Sequence, residues 1–198
     1  MKLHIAKGTK KMEGMNSISV SSFENKFCQA MKKVSGTICR SCYGNKYEKM
    51  RPALDACLKR NKDILIRPLK NNEIPIINSS YFRFNGFGEL YNDIHYKNLC
   101  LIAKKNPKTT FALWTKRFDI VMKYPKVKNI VYIYSNPYLN KTFSDKKIIN
   151  WFHHIFSVWT KKVATDNGVK LNCSGKKCIE CLICYKKNTE KFINEKIK

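Results

Sequence analysis

The sequence predicts an α/β fold built on a mainly parallel sheet, and three observations carry that expectation. Short β-type runs alternate with stretches of helical periodicity, the signature of consecutive βα units. At 198 residues and 43% hydrophobic content, the chain can bury one core and is too short for two ordinary domains. No Gly/Ser linker and no solenoid-length repeat divides it. Four or five βα units fall short of a complete eight-unit barrel, so an open sheet or a partial TIM-like barrel is expected. Residues 1–16 form an irregular start, 17–172 the core, and 173–198 a Cys-rich segment with a basic tail; Cys-rich metal-binding loops thus sit near both ends.

The elements follow in order. Ser17–Ser22 (SISVSS) alternates apolar and polar side chains as a strand does, and Phe23–Tyr43 reads as a loop with one helical turn. Tyr47–Lys62 has helical spacing through Met50, Leu54, Cys57 and Leu58, with Pro52 tolerable only in a first turn. Tyr81–Asn85 is a strand ending at Gly86 and Gly88. Asp93 caps a helix through Ile94, Leu99, Cys100 and Ile102, which Asn106-Pro107 stops. Thr109–Thr115 and Asn129–Ser135 are further strands, separated by a short helix at Phe118–Tyr124. A helix opening at Ser144-Asp145 and a strand at His154–Thr160 complete the core.

No apolar run approaches the roughly 18–20 residues of a membrane span, and the first residues lack the apolar stretch of a secretory signal. The expected location is therefore the cytoplasm, with no membrane partner. A formal net charge of +25 attracts polyanions and points to DNA or RNA. Abundant Lys, Asn and Ile throughout are equally the product of an A+T-rich coding sequence, and the lysines are scattered along the chain rather than gathered into one stripe. Six aromatics neighbouring lysines (Tyr43, Tyr47, Tyr81, Phe82, Trp114, Tyr185) suit base stacking, although core packing is the expected role of most.

Nine cysteines in a reducing compartment point to metal binding or redox chemistry rather than disulfides. Cys28, Cys39 and Cys42 lie near the start; Cys173, Cys178, Cys181 and Cys184 crowd near the end as C-x₄-C-x₂-C-x₂-C. Cys39-Arg-Ser-Cys42-Tyr43 and Cys181-Leu-Ile-Cys184-Tyr185 share a CxxC form, which turns two thiolates to one side of a tight turn. Structural zinc usually takes two such pairs a dozen or more residues apart. The short consecutive spacings here favour an iron–sulfur cluster, most simply [4Fe–4S], with zinc as the alternative. Seven thiolates exceed one four-ligand site, so the two groups either meet at one cluster with cysteines to spare or hold two centres. Cys57 and Cys100 read as small core hydrophobes; His153 and His154, beside Trp151 and Phe152, read as packing residues rather than ligands, and His4 and His95 have no motif around them.

The order of these motifs resembles the phage-encoded "gene product 88" family. The matching residues are Ser17-Ile18-Ser19 leading to Cys28, Cys39-Arg-Ser-Cys42-Tyr43, Arg83-Phe84-Asn85-Gly86 with Gly88-Glu89, Asn106-Pro107, Phe111 to Trp114-Thr115-Lys116, and the run from Cys173 to Tyr185. That resemblance spans residues 15 to 186 and implies a host-cell cytosol. Phe84 and Gly88-Glu89 stand where the family usually shows a histidine and a Gly-Asp pair. More distantly, the chain is similar to radical S-adenosylmethionine enzymes, in which a CxxxCxxC loop follows the first strand of a partial barrel. In those enzymes a Gly-Gly-Glu-like turn after the second strand holds the cofactor's amino group. Cys39-x₂-Cys42-Tyr43 and Asn85-Gly86-Phe87-Gly88-Glu89 echo both elements in order, while Ser35 stands at the position of the first cysteine and Cys28 substitutes through a longer loop. The similarity implies an open-site cluster on Cys28, Cys39 and Cys42. It also implies a cofactor contact by Gly86, Gly88 and Glu89, with Glu89 the one candidate catalytic group. Two expectations of other classes stand beside this enzyme: a metal-stapled nucleic-acid-binding protein, and a redox-sensing or host-takeover protein that engages a host factor. No Walker A loop, HExxH helix, GxSxG elbow or GxGxxG turn is present.

Overall fold

The computed structural model describes residues 2–173 and 175–197. Its centre is an open seven-stranded sheet in which spatial order equals chain order. A short β1 (Ala6–Lys7) runs antiparallel to β2 (Asn16–Ile18). From β2 onward, β3 (Tyr81–Phe84), β4 (Thr110–Thr115), β5 (Ile130–Ser135), β6 (His154–Trp159) and β7 (Phe192–Lys196) are all parallel. Parallel neighbours require crossovers, supplied by α1 (Lys26–Lys33), α2 (Tyr43–Met50) and α3 (Pro52–Leu65) before β3, and then by α4 (Asp93–Lys105), α5 (Phe118–Val121) and α6 (Lys146–Trp151) in the successive connections. The last connection carries α7 (Lys161–Asp166) and α8 (Cys178–Cys181). Among the described residues no helix is long and apolar enough to cross a membrane.

Strand alternation divides the core in two. Phe82, Phe84, Phe111, Leu113 and Tyr132 point to the helical side, where the Phe84 and Phe111 rings stack at 4.7 Å. Ala112, Val131, Ile133 and Ile193 point to the other side. What covers that second face is not a helix of a βα unit. It is the Cys-rich segment itself, through Leu182, Ile183 and Tyr185, joined by Met12 and Met15 from the amino-terminal stretch.

Several expected boundaries shift for local reasons. Pro52 breaks the Tyr47–Lys62 helix into α2 and α3, because proline has no N–H to donate and is at home in the first turn of α3. The 23–43 loop contains a full two-turn α1 capped by Asn25, whose side chain accepts from Cys28 N–H. Asn92, not Asp93, caps α4. The strand expected over Ser17–Ser22 closes after Ile18. The basic tail holds β7, which extends the parallel sheet, and the irregular start contributes β1.

Candidate metal centres

Of the two alternatives, one shared cluster or two centres, the cysteines do not meet at one: seven of them fall into two groups that line two different pockets. The first pocket opens at the carboxyl ends of β3 and β4, the edge at which parallel α/β sheets place their ligands. Cys28, Cys39, Cys42, Gly88, Glu89 and Lys116 line it around about 460 Å³ of space that includes its mouth.

Each side chain has a structural reason to be there. Asn25 joins two of them: its Oδ1 caps α1 at Cys28 while its Nδ2 donates 2.8 Å to the Glu89 carbonyl. Cys42 N–H closes a turn on the Cys39 carbonyl at 3.2 Å, and Cys42 is the cap residue of α2. The loop bearing Cys39 is pinned across the sheet to the turn after β5, by Ile38 N–H to Pro137 O (2.8 Å) and Leu139 N–H to Gly36 O (3.0 Å). Beneath it, the buried Glu48 carboxylate accepts from Ser21 Oγ and from Ser22 N–H and Oγ, which fixes the exit from β2.

Glu89 is buried and its carboxylate accepts from four donors. Oε1 accepts from Thr115 Oγ1 (2.6 Å), Leu90 N–H (2.8 Å) and, at longer range, Asn85 Nδ2 (3.5 Å), and Oε2 accepts from Lys116 N–H (2.7 Å). A carboxylate offers about four lone-pair positions, so Oε2 keeps one for a donor in the pocket. Burial raises its pKa, opposed chiefly by the Lys116 charge. Burial is also the first cause that raises the pKa of Cys28 and of Cys39, with Lys116 again opposing. Both cysteines are therefore held as neutral thiols.

The glycines of this turn serve packing. Gly88 has φ +74°, and a Cβ there would lie 2.3 Å from the Val20 carbonyl oxygen. Gly86 lies against the side chains of Ser19 and Ser17, where a Cβ would meet Ser19 Oγ at 2.9 Å, and is not part of the pocket lining. Gly88→Ala is expected to lower stability by at least about 2 kcal/mol, combining left-handed strain with a backbone clash; a chemical-denaturation midpoint equal to the parent's would contradict the close approach.

The second pocket lies on the sheet face opposite the helices and is lined by Cys173, Cys178, Cys181 and Cys184 with Lys11, Arg83 and Trp114. Leu182 takes a left-handed conformation (φ +53°) to turn the chain between the last two cysteines. Lys11 Nζ donates to Cys173 Sγ at 3.0 Å and to Glu195 at 2.7 Å. The Arg83 guanidinium lies over the Trp114 ring at 4.5 Å, and its Nε is buried without a hydrogen-bond partner. Burial is the main cause that raises the Cys184 and Cys178 pKa values; the Arg83 charge opposes it at both and Lys11 also at Cys178. Two cations thus stand beside the four sulfurs and would favour their thiolate forms.

Among the described residues, no three His, Cys, Asp or Glu side chains are gathered closely enough to hold one metal ion, so the sulfurs share pockets without forming a ready-made coordination shell. The histidines are elsewhere. His154 is buried, with its ring nitrogens 2.7 Å from Glu190 O and 2.8 Å from Lys186 O, and His95 is buried beside Tyr91. Cys100 packs against the core as expected, but Cys57 is half-exposed beside Arg60 and is no core residue. Of the six aromatics, Phe82 and Tyr185 are buried, Tyr81 and Trp114 half-buried, and Tyr43 and Tyr47 exposed near Cys42. Sequence reasoning quoted Lys116 and Arg83 only as motif residues, without assigning either to a pocket, and missed Asn25 beside the first pocket and Lys11 at the second, since neither belongs to any motif. Scans against family models, curated proteins and solved structures find no match to this chain.

Proposed function

We propose that this chain is an iron–sulfur enzyme of radical S-adenosylmethionine type, with two centres. Cys28, Cys39 and Cys42 hold three irons of a [4Fe–4S] cluster and leave the fourth iron open to the cofactor; Cys173, Cys178, Cys181 and Cys184 hold a second, fully ligated centre. One observation carries the reading: three sulfurs, a buried glutamate and a lysine line one cleft at the carboxyl ends of sequentially ordered parallel strands. The donor types suit such a centre: three cysteines and no histidine line the cleft, and once drawn together on a cluster they would leave a coordination position free, as catalytic metal sites require. The same sequential order supports reading the open sheet as a partial TIM-like barrel. The motif order supports kinship with the phage-encoded "gene product 88" family and a place in a host cytoplasm.

When bound, such a cluster supplies the electron that cleaves the cofactor. The protein's own part is orientation. Glu89, fixed by Thr115, Leu90 and Lys116, offers its remaining lone pair to the cofactor's amino group. Lys116 Nζ, 3.1 Å from Ser135 Oγ, stands at the cleft as a cation for a carboxylate.

A second reading concerns the carboxyl-terminal group alone. Four thiolates in one pocket also suit a closed tetrahedral zinc site. Anaerobic purification followed by iron, sulfide and zinc analysis separates the two. The proposed enzyme gives brown protein with iron and sulfide that, once reduced, cleaves S-adenosylmethionine. Colourless protein carrying only zinc and lacking that cleavage would overturn it.

A further inference from the structure

We propose that the amino-terminal edge of the sheet, opposite the cysteine cleft, is a docking face for the phosphate backbone of a nucleic acid. This inference does not rest on either metal centre. Lys126 and Lys128 lie in the turn that enters β5, His153 immediately precedes β6, and Lys187 and Lys191 lie in the segment that enters β7. Because β5, β6 and β7 are parallel neighbours, those three entries stand side by side.

Contacts confirm that the lysines converge. Lys187 Nζ donates to Lys128 O at 2.6 Å, Lys191 Nζ donates to Phe152 O at 2.6 Å, and Lys126 Nζ sits 4.8 Å over the Trp151 ring. Burial first, then the Lys191 and Lys187 charges, pulls the Lys126 ammonium below its ordinary pKa; burial and then Lys128 do the same to Lys187. Charges that were scattered in the sequence are therefore neighbours in the fold.

Their counter-charges are missing. Lys11, Lys59, Lys62, Arg67, Arg117, Lys123 and Lys177 each pair with a carboxylate within 4 Å. Among the described residues none of the four edge lysines does, and Glu190, in the same segment, pairs with none of them. Four ammonium groups held together without acids create a local positive potential that a row of phosphates would satisfy. The exposed Phe192, next to Lys191, supplies an apolar plane for a base beside the backbone contacts, and Trp151 holds Lys126 in place from beneath. That pairing of cations with an aromatic plane favours a nucleic acid over an anionic membrane.

The test compares two charge-matched double variants of the full chain. Lys126→Gln/Lys128→Gln alters exposed side chains of the patch, while Lys161→Gln/Lys162→Gln removes the same charge from exposed positions on α7. Binding to short single-stranded and duplex DNA is followed by fluorescence anisotropy across a salt series. The patch variant is expected to bind about tenfold more weakly, and its slope of log K against log salt should fall by about 1.8, near 0.9 per lost phosphate contact on duplex. The α7 variant should change neither quantity. Equal weakening by both variants would mean diffuse attraction by net charge and would overturn the proposal. So would a parent protein that ignores DNA and binds only vesicles of anionic phospholipid.

Discussion

Cys42→Ala protein, purified without oxygen, is expected to lose about half of the iron carried by the parent and all of its ability to cleave S-adenosylmethionine, because one site of a three-thiolate set cannot be spared. Cys184→Ala should lose the other half and keep the Cys42-dependent iron, because the two sets line separate pockets on separate parts of the sheet. Stability should separate the two variants as well. The segment from Cys173 to Tyr185 is what covers the second face of the sheet, through Leu182, Ile183 and Tyr185 against Ala112, Val131 and Ile133. A metal bound there would be coupled to the packing of a core layer, so on the proposed function its loss should lower the melting temperature far more than loss of the Cys42 site does. Cys100→Ala, a core position beside Tyr96 and Tyr132, should leave the iron content unchanged. Identical iron loss in the Cys42 and Cys184 variants would mean one shared centre, and unchanged iron in both would remove the ligand assignment altogether.

How much of this could be read from residues alone depended on where each segment ends up. Thr109–Thr115 and Asn129–Ser135 were legible because a strand buried on both faces must be apolar almost throughout, and each is bounded by an Asn-Pro or a turn. β7 was not legible. Phe-Ile-Asn-Glu-Lys carries only two apolar residues, as an edge strand flanked by lysines can, and its membership is decided by β6 rather than by its own pattern. α1 was missed for a different reason: Phe27, Cys28, Ala30 and Met31 do recur at helical spacing, but over only two turns between a loop and a glycine, and the cap that starts them is a single asparagine.

The cysteine motifs were visible as motifs, but which sulfurs share a pocket was not. Two CxxC segments look alike in a linear chain. One lies at the carboxyl ends of the strands and the other against the face opposite the helices, a distinction that only the path of the chain around the sheet creates. Glu89 was legible as a candidate through its Gly86-Phe87-Gly88-Glu89 turn. Its real partners, Thr115 and Lys116, arrive from the end of the next strand because β3 and β4 are neighbours in register. The lysine edge was illegible on the same ground, since it exists only where three strand entries meet.

Glu89 also sets the second large effect. Glu89→Ala should destabilise the fold by about 3–5 kcal/mol, since it leaves Leu90 N–H, Lys116 N–H and the Thr115 hydroxyl buried without an acceptor, at about 1–3 kcal/mol each before relaxation. Glu89→Gln is the more informative change. Its single carbonyl oxygen can replace Oε1 and keep the Leu90 and Thr115 bonds, but its amide NH₂ then faces the Lys116 N–H, donor against donor. A stability loss of about 1–3 kcal/mol is expected, with the cysteine set and the iron content intact. The lone pair offered to the cleft disappears with Oε2, so affinity for S-adenosylmethionine should drop at least tenfold, measured by calorimetry on the reconstituted protein. That split between retained iron and lost cofactor affinity is what distinguishes an anchor from a strut. If Glu89→Gln keeps full affinity, the carboxylate serves only to tie β3 to β4, and the cofactor's amino group is held by some other residue.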